Sequence, residues 1–366
     1  MKWFLIIIMV ICLAGSADFA VAQTETPAAA APTTASTTAP ASAPAEEGKD
    51  ELPEDPEDPE GVVARVGEAK IQTQDLATIL DKIPYRLSKK KRKEVWASAL
   101  ESLIYQELLH SYLEASKAPD APEELAQLKE KLAEEVEKYN QTASLRLLPP
   151  VTTFEMMERR GLNERRLADQ ARYERLILAM TTNEQLLAFM NKHPEYFNGT
   201  KVHVGHIFLA CSPLAPTAEQ KKVVEKLQQI AADIRAGKVT FAQAANEHSE
   251  CPSGKVKGWD GKADYGDLGN LMFYQLAGVY GATVGAAAFG ADVGSLSDVI
   301  RSPQGFHLIK VFDQTKGNES PTAESAGIAR FAVSSLLENQ VFNQGLENAP
   351  IVIYKASRKV PKAKKD

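Results

Sequence analysis

Apolar side chains recur every three or four positions through much of residues 73–192, which is the period of a helix with one buried face. This spacing predicts a helix that begins at Thr73, followed by helices over residues 91–115, 123–139, 154–180 and 183–191. Residues 62–71 are rich in β-branched side chains and turn at Gly67, so they predict a short hairpin before the helices. The first part of the chain is therefore expected to be mainly helical.

The pattern changes after residue 199. Two kinds of stretch follow, one with the alternation of half-buried strands and one with helical spacing. The strands are predicted over residues 201–210, 295–302 and 305–313, and the helices over residues 223–234 and 241–248. The glycine-rich residues 254–269 predict loops and turns. The order β-ααα-β-α-ββ, with helices segregated from a small antiparallel sheet, indicates the α+β class.

The end of the chain, like its beginning, combines a predicted helix with a short strand-like run. Apolar spacing predicts a helix over residues 322–346, and the strand-like run Ile351-Val352-Ile353-Tyr354 follows it. An isolated strand leaves its backbone N–H and C=O groups without hydrogen-bond partners. The β-branched run at residues 62–66 also lacks a strand to pair with. We therefore predict that the C-terminal segment returns to complete the helical domain.

The N-terminus has the three parts of a secretory signal peptide, namely Lys2, an apolar run over residues 3–15, and a small-x-small exit at residues 20–22. The apolar run is shorter than the roughly 20 residues that span a bilayer, so cleavage after Ala22 is favoured over an uncleaved anchor. Lipid attachment at Cys12 is disfavoured because the two residues before it are bulky. We expect a periplasmic protein, associated with the inner membrane only if the signal is retained.

Charge is unevenly distributed along the chain. Residues 23–45 are almost entirely Ala, Pro, Thr and Ser, and residues 46–60 contain nine acidic residues and one Lys. Neither stretch can bury enough apolar surface to offset chain entropy, so residues 23–60 predict a disordered tether. Residues 355–366 contain six basic residues and one Asp, a tail that is either a solvated end or a contact with anionic lipid. The remainder is close to neutral, which argues against nucleic acid as a partner.

Two cysteines, Cys211 and Cys251, remain once the signal is removed. They do not make a disulfide framework in a chain of this length, although an oxidising periplasm would allow them to pair. His203, His206 and Cys211 have a spacing that suggests a metal site. On one strand the two histidines point to opposite faces, so a shared metal is not expected.

Six short motifs occur in one order between residues 204 and 309. They are Val204-Gly205-His206-Ile207, Gly237-x-x-x-Phe241, Ser249-Glu250-Cys251-Pro252-Ser253-Gly254, Gly266-Asp267-Leu268-Gly269, Gly294-x-x-Ser297 and Gly305-Phe306-His307-Leu308-Ile309. This series resembles the parvulin family of peptidyl-prolyl cis-trans isomerases. The flanks are similar to those of SurA-type and PrsA-type exported foldases, in which a C-terminal helix returns to an N-terminal helical chaperone segment.

The resemblance implies which residues form the site. His206 and His307 correspond to the two central histidines, and Cys251 corresponds to the residue that faces them. The implied substrate-binding residues are Leu268, Leu276, Phe289, Ser302 and one of Tyr280 and Val284. The last choice stays open because this chain has extra residues between Leu276 and Phe289. Tyr280 would keep an aromatic platform, whereas Val284 would make the pocket shallower.

The chemistry of this family needs few reactive groups. Rotation of a peptide bond faces a barrier of about 18–20 kcal/mol that amide resonance sets. An apolar pocket that desolvates the prolyl imide, with hydrogen bonds close by, lowers that barrier. No metal, cofactor or covalent intermediate is required. Residues 211–217 contain no Lys or Arg, whereas phosphate-selective parvulins have a basic cluster there, so phosphorylated substrates are not expected.

The expected function is therefore prolyl isomerisation and chaperone activity for exported proteins, without nucleic acid or metal as a partner. The expected partners are unfolded or partly folded exported polypeptides, outer-membrane proteins among them. The alternative is a holdase chaperone whose parvulin domain is catalytically weak or silent. The expected divisions are a signal peptide at 1–22, a tether at 23–60, a helical chaperone-like domain at 61–198, a parvulin domain at 199–315, a returning helix and strand at 316–356 and a basic tail at 357–366.

Overall fold

The computed structural model describes residues 60–83, 86–212, 215, 217–255, 265–354, 357 and 360. The predicted signal peptide lies outside the described residues, as does the tether apart from Glu60 and the basic tail apart from Ser357 and Val360. Over the described ranges, no helix is long and apolar enough to cross a bilayer.

A three-stranded antiparallel sheet joins the two ends of the described chain. Strand β1 (Val62–Val66) pairs with β2 (Ala69–Gln72) on one side and with β7 (Ile351–Ile353) on the other. Gly67, at φ +56°, forms the turn between β1 and β2. The C-terminal segment therefore returns to the first strand, as the sequence predicted.

The helices of the first domain are α1 (Thr73–Asp81), α2 (Lys89–Ala115), α3 (Pro122–Leu145), α4 (Thr153–Arg159), α5 (Glu164–Met180) and α6 (Asn183–Lys192). The single helix predicted over 154–180 is two helices, because Gly161 adopts φ +63° and Asn163 caps the start of α5. Helices α1 and α2 pack on the three-stranded sheet, and α3, α4 and α5 enclose a smaller apolar core. We call this part the helical domain.

The second domain is built on a four-stranded antiparallel sheet. Its strands are β3 (Lys201–Ala210), β4 (Asp267–Leu271), β5 (Ile300–Ser302) and β6 (Gly305–Thr315), in the order β4-β3-β6-β5. One face packs on helices α7 (Thr217–Arg235) and α8 (Phe241–His248), and the other on α9 (Phe273–Tyr280) and α10 (Ala282–Phe289). We call this part the sheet domain.

Two details of the predicted order are wrong. Two helices, rather than one, lie between β4 and β5, because Gly281 at φ +97° ends α9 before α10 begins. The strand predicted over 295–302 is reduced to Ile300–Ser302, with a single bridge between Leu296 and Lys310 before it. The α+β class itself is confirmed.

One long helix belongs to both domains. The first half of α11 (Ala323–Asn348) places Ala329, Ala332 and Val333 in the core of the sheet domain. The second half places Leu337 and Phe342 in the core of the helical domain. Helix α6 also packs against the sheet domain, so the two cores are joined by continuous chain segments rather than by a linker.

Candidate active site

Two histidines lie side by side on the central strands of the sheet domain. In the register of β3 and β6, His206 pairs with Ile309 and Phe208 pairs with His307, so the two histidines are diagonal neighbours on one face. Both are almost fully buried, at 1% and 2% exposure. Nε2 of His206 lies 2.9 Å from Nδ1 of His307, which is a hydrogen bond between the two imidazoles.

The next member of this chain of hydrogen bonds is Ser302, at the end of β5. Its Oγ lies 2.7 Å from Nε2 of His307, and it donates to Oε1 of Gln304 at 3.0 Å. Because a hydroxyl has one proton to donate, Ser302 accepts from His307 Nε2–H. His307 Nδ1 then accepts from His206 Nε2–H, and His206 Nδ1 keeps a lone pair. That buried nitrogen has no hydrogen-bond partner among the described residues.

Burial determines the charge of the pair. It lowers the pKa of His206 to about 3, with a smaller contribution from the neighbouring His307. Burial alone lowers the pKa of His307 to about 4. Both imidazoles are therefore neutral at neutral pH, in agreement with the single-proton hydrogen bonds of the chain.

Tyr280, and not Val284, lies against the histidines. The centroid of the Tyr280 ring is 4.4 Å from that of His206, and the side chain is half-buried at the end of α9. Burial, with a smaller contribution from Cys251, raises the pKa of the Tyr280 hydroxyl. Val284 is fully buried in the core between the sheet and α10. The extra residues between Leu276 and Phe289 therefore do not displace the aromatic ring from the site.

Cys251 touches the site through Tyr280. Its Sγ lies 3.9 Å from the Tyr280 hydroxyl and accepts from Ser253 Oγ at 3.2 Å. Within the described ranges, no hydrogen bond joins Cys251 directly to either histidine. The backbone N–H of Cys251 donates to Ser249 Oγ at 3.2 Å, which restrains the backbone that carries the thiol.

The remaining predicted substrate-binding residues divide by exposure. Leu276 and Phe289 are buried in the core beneath Tyr280, whereas Leu268 on β4 stays partly exposed. Leu268 and Tyr280 are therefore the apolar members of the set that offer surface to a ligand. A substrate-contact role for each of these residues stays a prediction.

Sequence reasoning missed two neighbours of the histidines. The ring of Phe208 lies 4.9 Å from that of His307, and it follows His206 by two positions, so strand alternation indicated a shared face. Ser249 is buried, and its Oγ accepts from the backbone N–H of Phe208 as well as from that of Cys251. Ser249 opens the motif that contains Cys251, but that motif did not indicate its hydrogen bond with the Phe208 backbone.

His203 lies on the opposite face of β3 and has a structural role. Its Nε2 is 2.8 Å from Oδ1 of Asp267, the same oxygen that accepts from the backbone N–H of Gly269. This pairing holds the start of β4 against β3. Among the described residues, no group of three or more His, Cys, Asp or Glu side chains is placed to hold a metal ion.

Comparison with known proteins identifies the sheet domain. Residues 206–313 match the family described as Rotamase: PPIC-type PPIASE domain. Chaperone SurA of Photorhabdus laumondii subsp. laumondii is 36% identical over 125 residues, which are 34% of this chain and 26% of that protein. Chaperone SurA of Escherichia coli O157:H7 has the same identity over the same shares. The chain thus spans about a quarter of the length of these curated relatives.

Two solved structures are similar over different parts of the chain. A PpiC-type peptidyl-prolyl cis-trans isomerase domain is 22% identical and covers 34% of this chain and 98% of its own, with a TM-score of 0.27. Peptidylprolyl isomerase PrsA from Bacillus anthracis is 17% identical and covers 68% of this chain and 95% of its own, with a TM-score of 0.28. Because the family match begins at His206 and includes Cys251 and His307, residues 206–313 are a parvulin-type peptidyl-prolyl cis-trans isomerase domain.

Proposed function

We propose that this chain catalyses prolyl cis-trans isomerisation in exported polypeptides and also binds them as a chaperone. The observation that supports the isomerase activity is the buried, neutral pair of His206 and His307 beside the half-exposed ring of Tyr280. The periplasm is the proposed compartment, because residues 1–22 have the composition of a secretory signal peptide.

The reaction rotates the prolyl amide through a state in which the nitrogen lone pair is no longer shared with the carbonyl. That state is less dipolar than the planar amide, so it is favoured where water is excluded. Leu268 and Tyr280 would hold the proline ring, and the neutral histidines add no charge that would retain water. We assign the Cys251 thiol and the Tyr280 hydroxyl to hydrogen bonds with the substrate carbonyl. No bond to the substrate is made or broken.

The same proposal predicts that the substrates are unphosphorylated. A phosphate on the residue before proline needs Arg or Lys partners, and residues 211–217 contain none. We therefore expect a glutamate or a phosphoserine before proline to bring no gain over alanine in the turnover of a short peptide.

The isomerase proposal is tested with a protease-coupled assay on a short prolyl peptide. The full chain is used, because α6 and α11 complete the core of the sheet domain. We expect His206→Ala with His307→Ala to lower kcat/KM by at least about tenfold, since the hydrogen-bonded pair is lost. The control is His248→Ala, a partly exposed histidine at the end of α8 that lies beside Glu247. Undetectable turnover by the unmodified chain, or full turnover by the double variant, contradicts the proposal.

A second function, chaperone binding without catalysis, is favoured by apolar surface on the helical domain. Leu145, Leu147 and Phe154 are 87%, 94% and 67% exposed, and they lie within ten residues of one another around the turn from α3 to α4. Phe154 also borders a cleft of about 580 Å³ that has both apolar and charged walls, Met157 among the first and Glu158 among the second. Clustered exposed apolar side chains mark binding surfaces for unfolded chains.

The chaperone proposal predicts a loss that is independent of the histidines. We expect Leu147→Ser with Phe154→Ser to reduce the suppression of aggregation of an unfolded outer-membrane protein while leaving peptide isomerisation unchanged. Val293→Ser is the matched control, since Val293 is 54% exposed but lies in the sheet domain. Equal suppression by the double variant and the control would exclude this surface as the binding site.

A further inference from the structure

Arg301 occupies an unusual position for a charged residue. It lies on β5, is half-buried, and burial lowers the pKa of its guanidinium. No carboxylate in the described part of the chain forms an ion pair with it. A desolvated cation without a counter-ion is unfavourable unless other groups compensate it, so its neighbours indicate what it does.

Two aromatic rings and one amide compensate the charge. The guanidinium carbon of Arg301 lies 5.5 Å from the centroid of the Phe306 ring and 5.3 Å from that of Phe342. Its Nη2 donates to Oε1 of Gln220 on α7, whose Nε2 in turn donates to the Ala215 carbonyl at 2.8 Å. The planar guanidinium is thus held between two rings, a geometry that favours Arg over Lys.

The two rings belong to different cores. Phe306 is part of the core between β6 and α7 in the sheet domain. Phe342 is 3% exposed in the second half of α11, where it packs in the core of the helical domain. Arg301 therefore connects the edge of the sheet domain to the helix that runs into the helical domain.

The neighbour of Arg301 along the strand is Ser302, whose Oγ is hydrogen-bonded to Nε2 of His307. Strand β5 has only three paired residues and lies at the edge of the sheet, so its ladder provides little restraint. Successive side chains of a strand point to opposite faces of the sheet. Arg301 therefore anchors β5 from one face, while Ser302 contacts His307 on the other face.

We propose that Arg301 is a positioning residue for the isomerase site, and that its contact with Phe342 fixes Ser302 against His307. The proposal rests on the proposed isomerase function for its kinetic consequence, but not for its structural one. It makes helix α11 part of the active-site support, so that the geometry of the His206–His307 pair depends on the helical domain.

The kinetic test uses the full chain and a protease-coupled assay. We expect Arg301→Gln and Phe342→Leu each to lower kcat roughly fivefold with KM unchanged, the ratio expected for the loss of one half-buried cation–π contact. Because Arg301→Gln already removes the contact with Phe342, the double variant should lose no more than Arg301→Gln alone. Arg301→Lys should recover part of the loss. A double variant that loses the product of the two single effects overturns the proposal.

The control separates positioning from general destabilisation. Val341→Ala removes volume from the same helix and core, and valine has neither an aromatic ring nor a polar group that could hold the Arg301 guanidinium. It should lower the midpoint of thermal unfolding and leave kcat unchanged. A fall in kcat as large as that of Phe342→Leu would show that the effect is only structural, and would overturn the proposal.

A readout that does not need turnover is the ¹⁵N NMR spectrum of the imidazoles. In the unmodified chain, His307 should show one tautomer, protonated at Nε2, because Ser302 accepts that proton. Arg301→Gln and Phe342→Leu should both shift the His307 ring resonances toward a tautomer mixture, and Val341→Ala should not. If the unmodified chain has no isomerase activity, the proposed function fails while this measurement still decides the positioning role. Unchanged His307 resonances in both variants overturn it.

Discussion

Burial holds His206 and His307 neutral, and His307 adds a smaller contribution at His206. Ser302 accepts the Nε2 proton of His307, and Nδ1 of His307 accepts the Nε2 proton of His206. The pair therefore behaves as one unit with a defined tautomer. A charged imidazole at this point would bind water and would stabilise the dipolar planar amide of a substrate. The neutral state is therefore the one suited to the proposed mechanism, in which the site desolvates the prolyl amide.

Stability against pH follows from the lowered pKa values. An unfolded chain takes up a proton on each histidine near pH 6.5, whereas the folded chain does so only at about pH 4 for His307 and about pH 3 for His206. Between these values the unfolded state binds more protons, so the free energy of unfolding falls as pH falls. The slope is up to about 1.4 kcal/mol per pH unit for each histidine. We expect this contribution to be complete above pH 7 and to be lost as pH falls from 6.5, down to about pH 4 for His307 and about pH 3 for His206.

Urea unfolding at pH 7, 6 and 5 measures the effect. His307→Gln should make the pH dependence shallower, because one of the two groups no longer titrates. The kcat/KM of the unmodified chain should be flat between pH 6 and 8. A midpoint near pH 6.5 in that profile would mean that the pair is solvated and titrates normally.

At the scale of single elements, the turn into β4 is tightly constrained. Gly266 has φ +81°, and its carbonyl accepts from His206 N–H at 2.8 Å. A Cβ at Gly266 would lie 2.6 Å from Ala245 Cβ and 3.1 Å from the His206 carbonyl oxygen. Only glycine meets both the left-handed backbone and the close approach.

Gly266→Ala and Gly269→Ala form a matched pair. Gly269 has a similar φ of +73°, but a Cβ there would meet nothing within 4 Å. Both variants should lose about 1–2 kcal/mol of unfolding free energy for the left-handed backbone, and Gly266→Ala about 1–3 kcal/mol more for the crowding beneath His206. Denaturant unfolding gives the difference. Equal losses in the two variants would show that the contact with α8 relaxes freely.

Much of this was accessible from sequence where a local pattern exists. Strand alternation and the turn at Gly305 predicted the hairpin that contains His307, and the unpaired β-branched runs predicted the pairing of β1 with β7. The helix breaks at Gly161 and Gly281 were missed because a glycine within helical spacing does not by itself end a helix. The choice between Tyr280 and Val284 stayed open because no repeating pattern shows where the extra residues between Leu276 and Phe289 are inserted. The contact of Arg301 with Phe342 joins distant segments and left no local signal.

For the whole molecule, α11 is the element that unites the two domains. It contributes Ala332 to one core and Leu337 to the other, five positions apart on one continuous helix. A second link joins α11 to the turn between α5 and α6, because Arg330 on α11 donates to Thr181 Oγ1 at 2.9 Å. A rigid helix shared in this way should make the two cores unfold together.

A proline in the middle of α11 tests that cooperativity. Ser334→Pro removes a helical hydrogen bond and kinks the helix, which costs about 3 kcal/mol. We expect hydrogen exchange to accelerate in both β1 and β6, although Ser334 is on neither strand. Glu324→Pro, in the first turn of α11, is the control and should be tolerated. Acceleration in only one of the two sheets would show that the domains unfold independently.

The pairing of β1 with β7 also orders events in time. Strand β1 can pair with β7 only late in synthesis, because Ile351 follows the whole sheet domain along the chain and Val66 pairs with it. The sheet domain has its four strands within one continuous segment and can begin to form earlier. The four strands of the sheet domain can therefore pair before β7 has left a ribosome or a secretion channel, whereas the three-stranded sheet of the helical domain closes only once β7 has emerged.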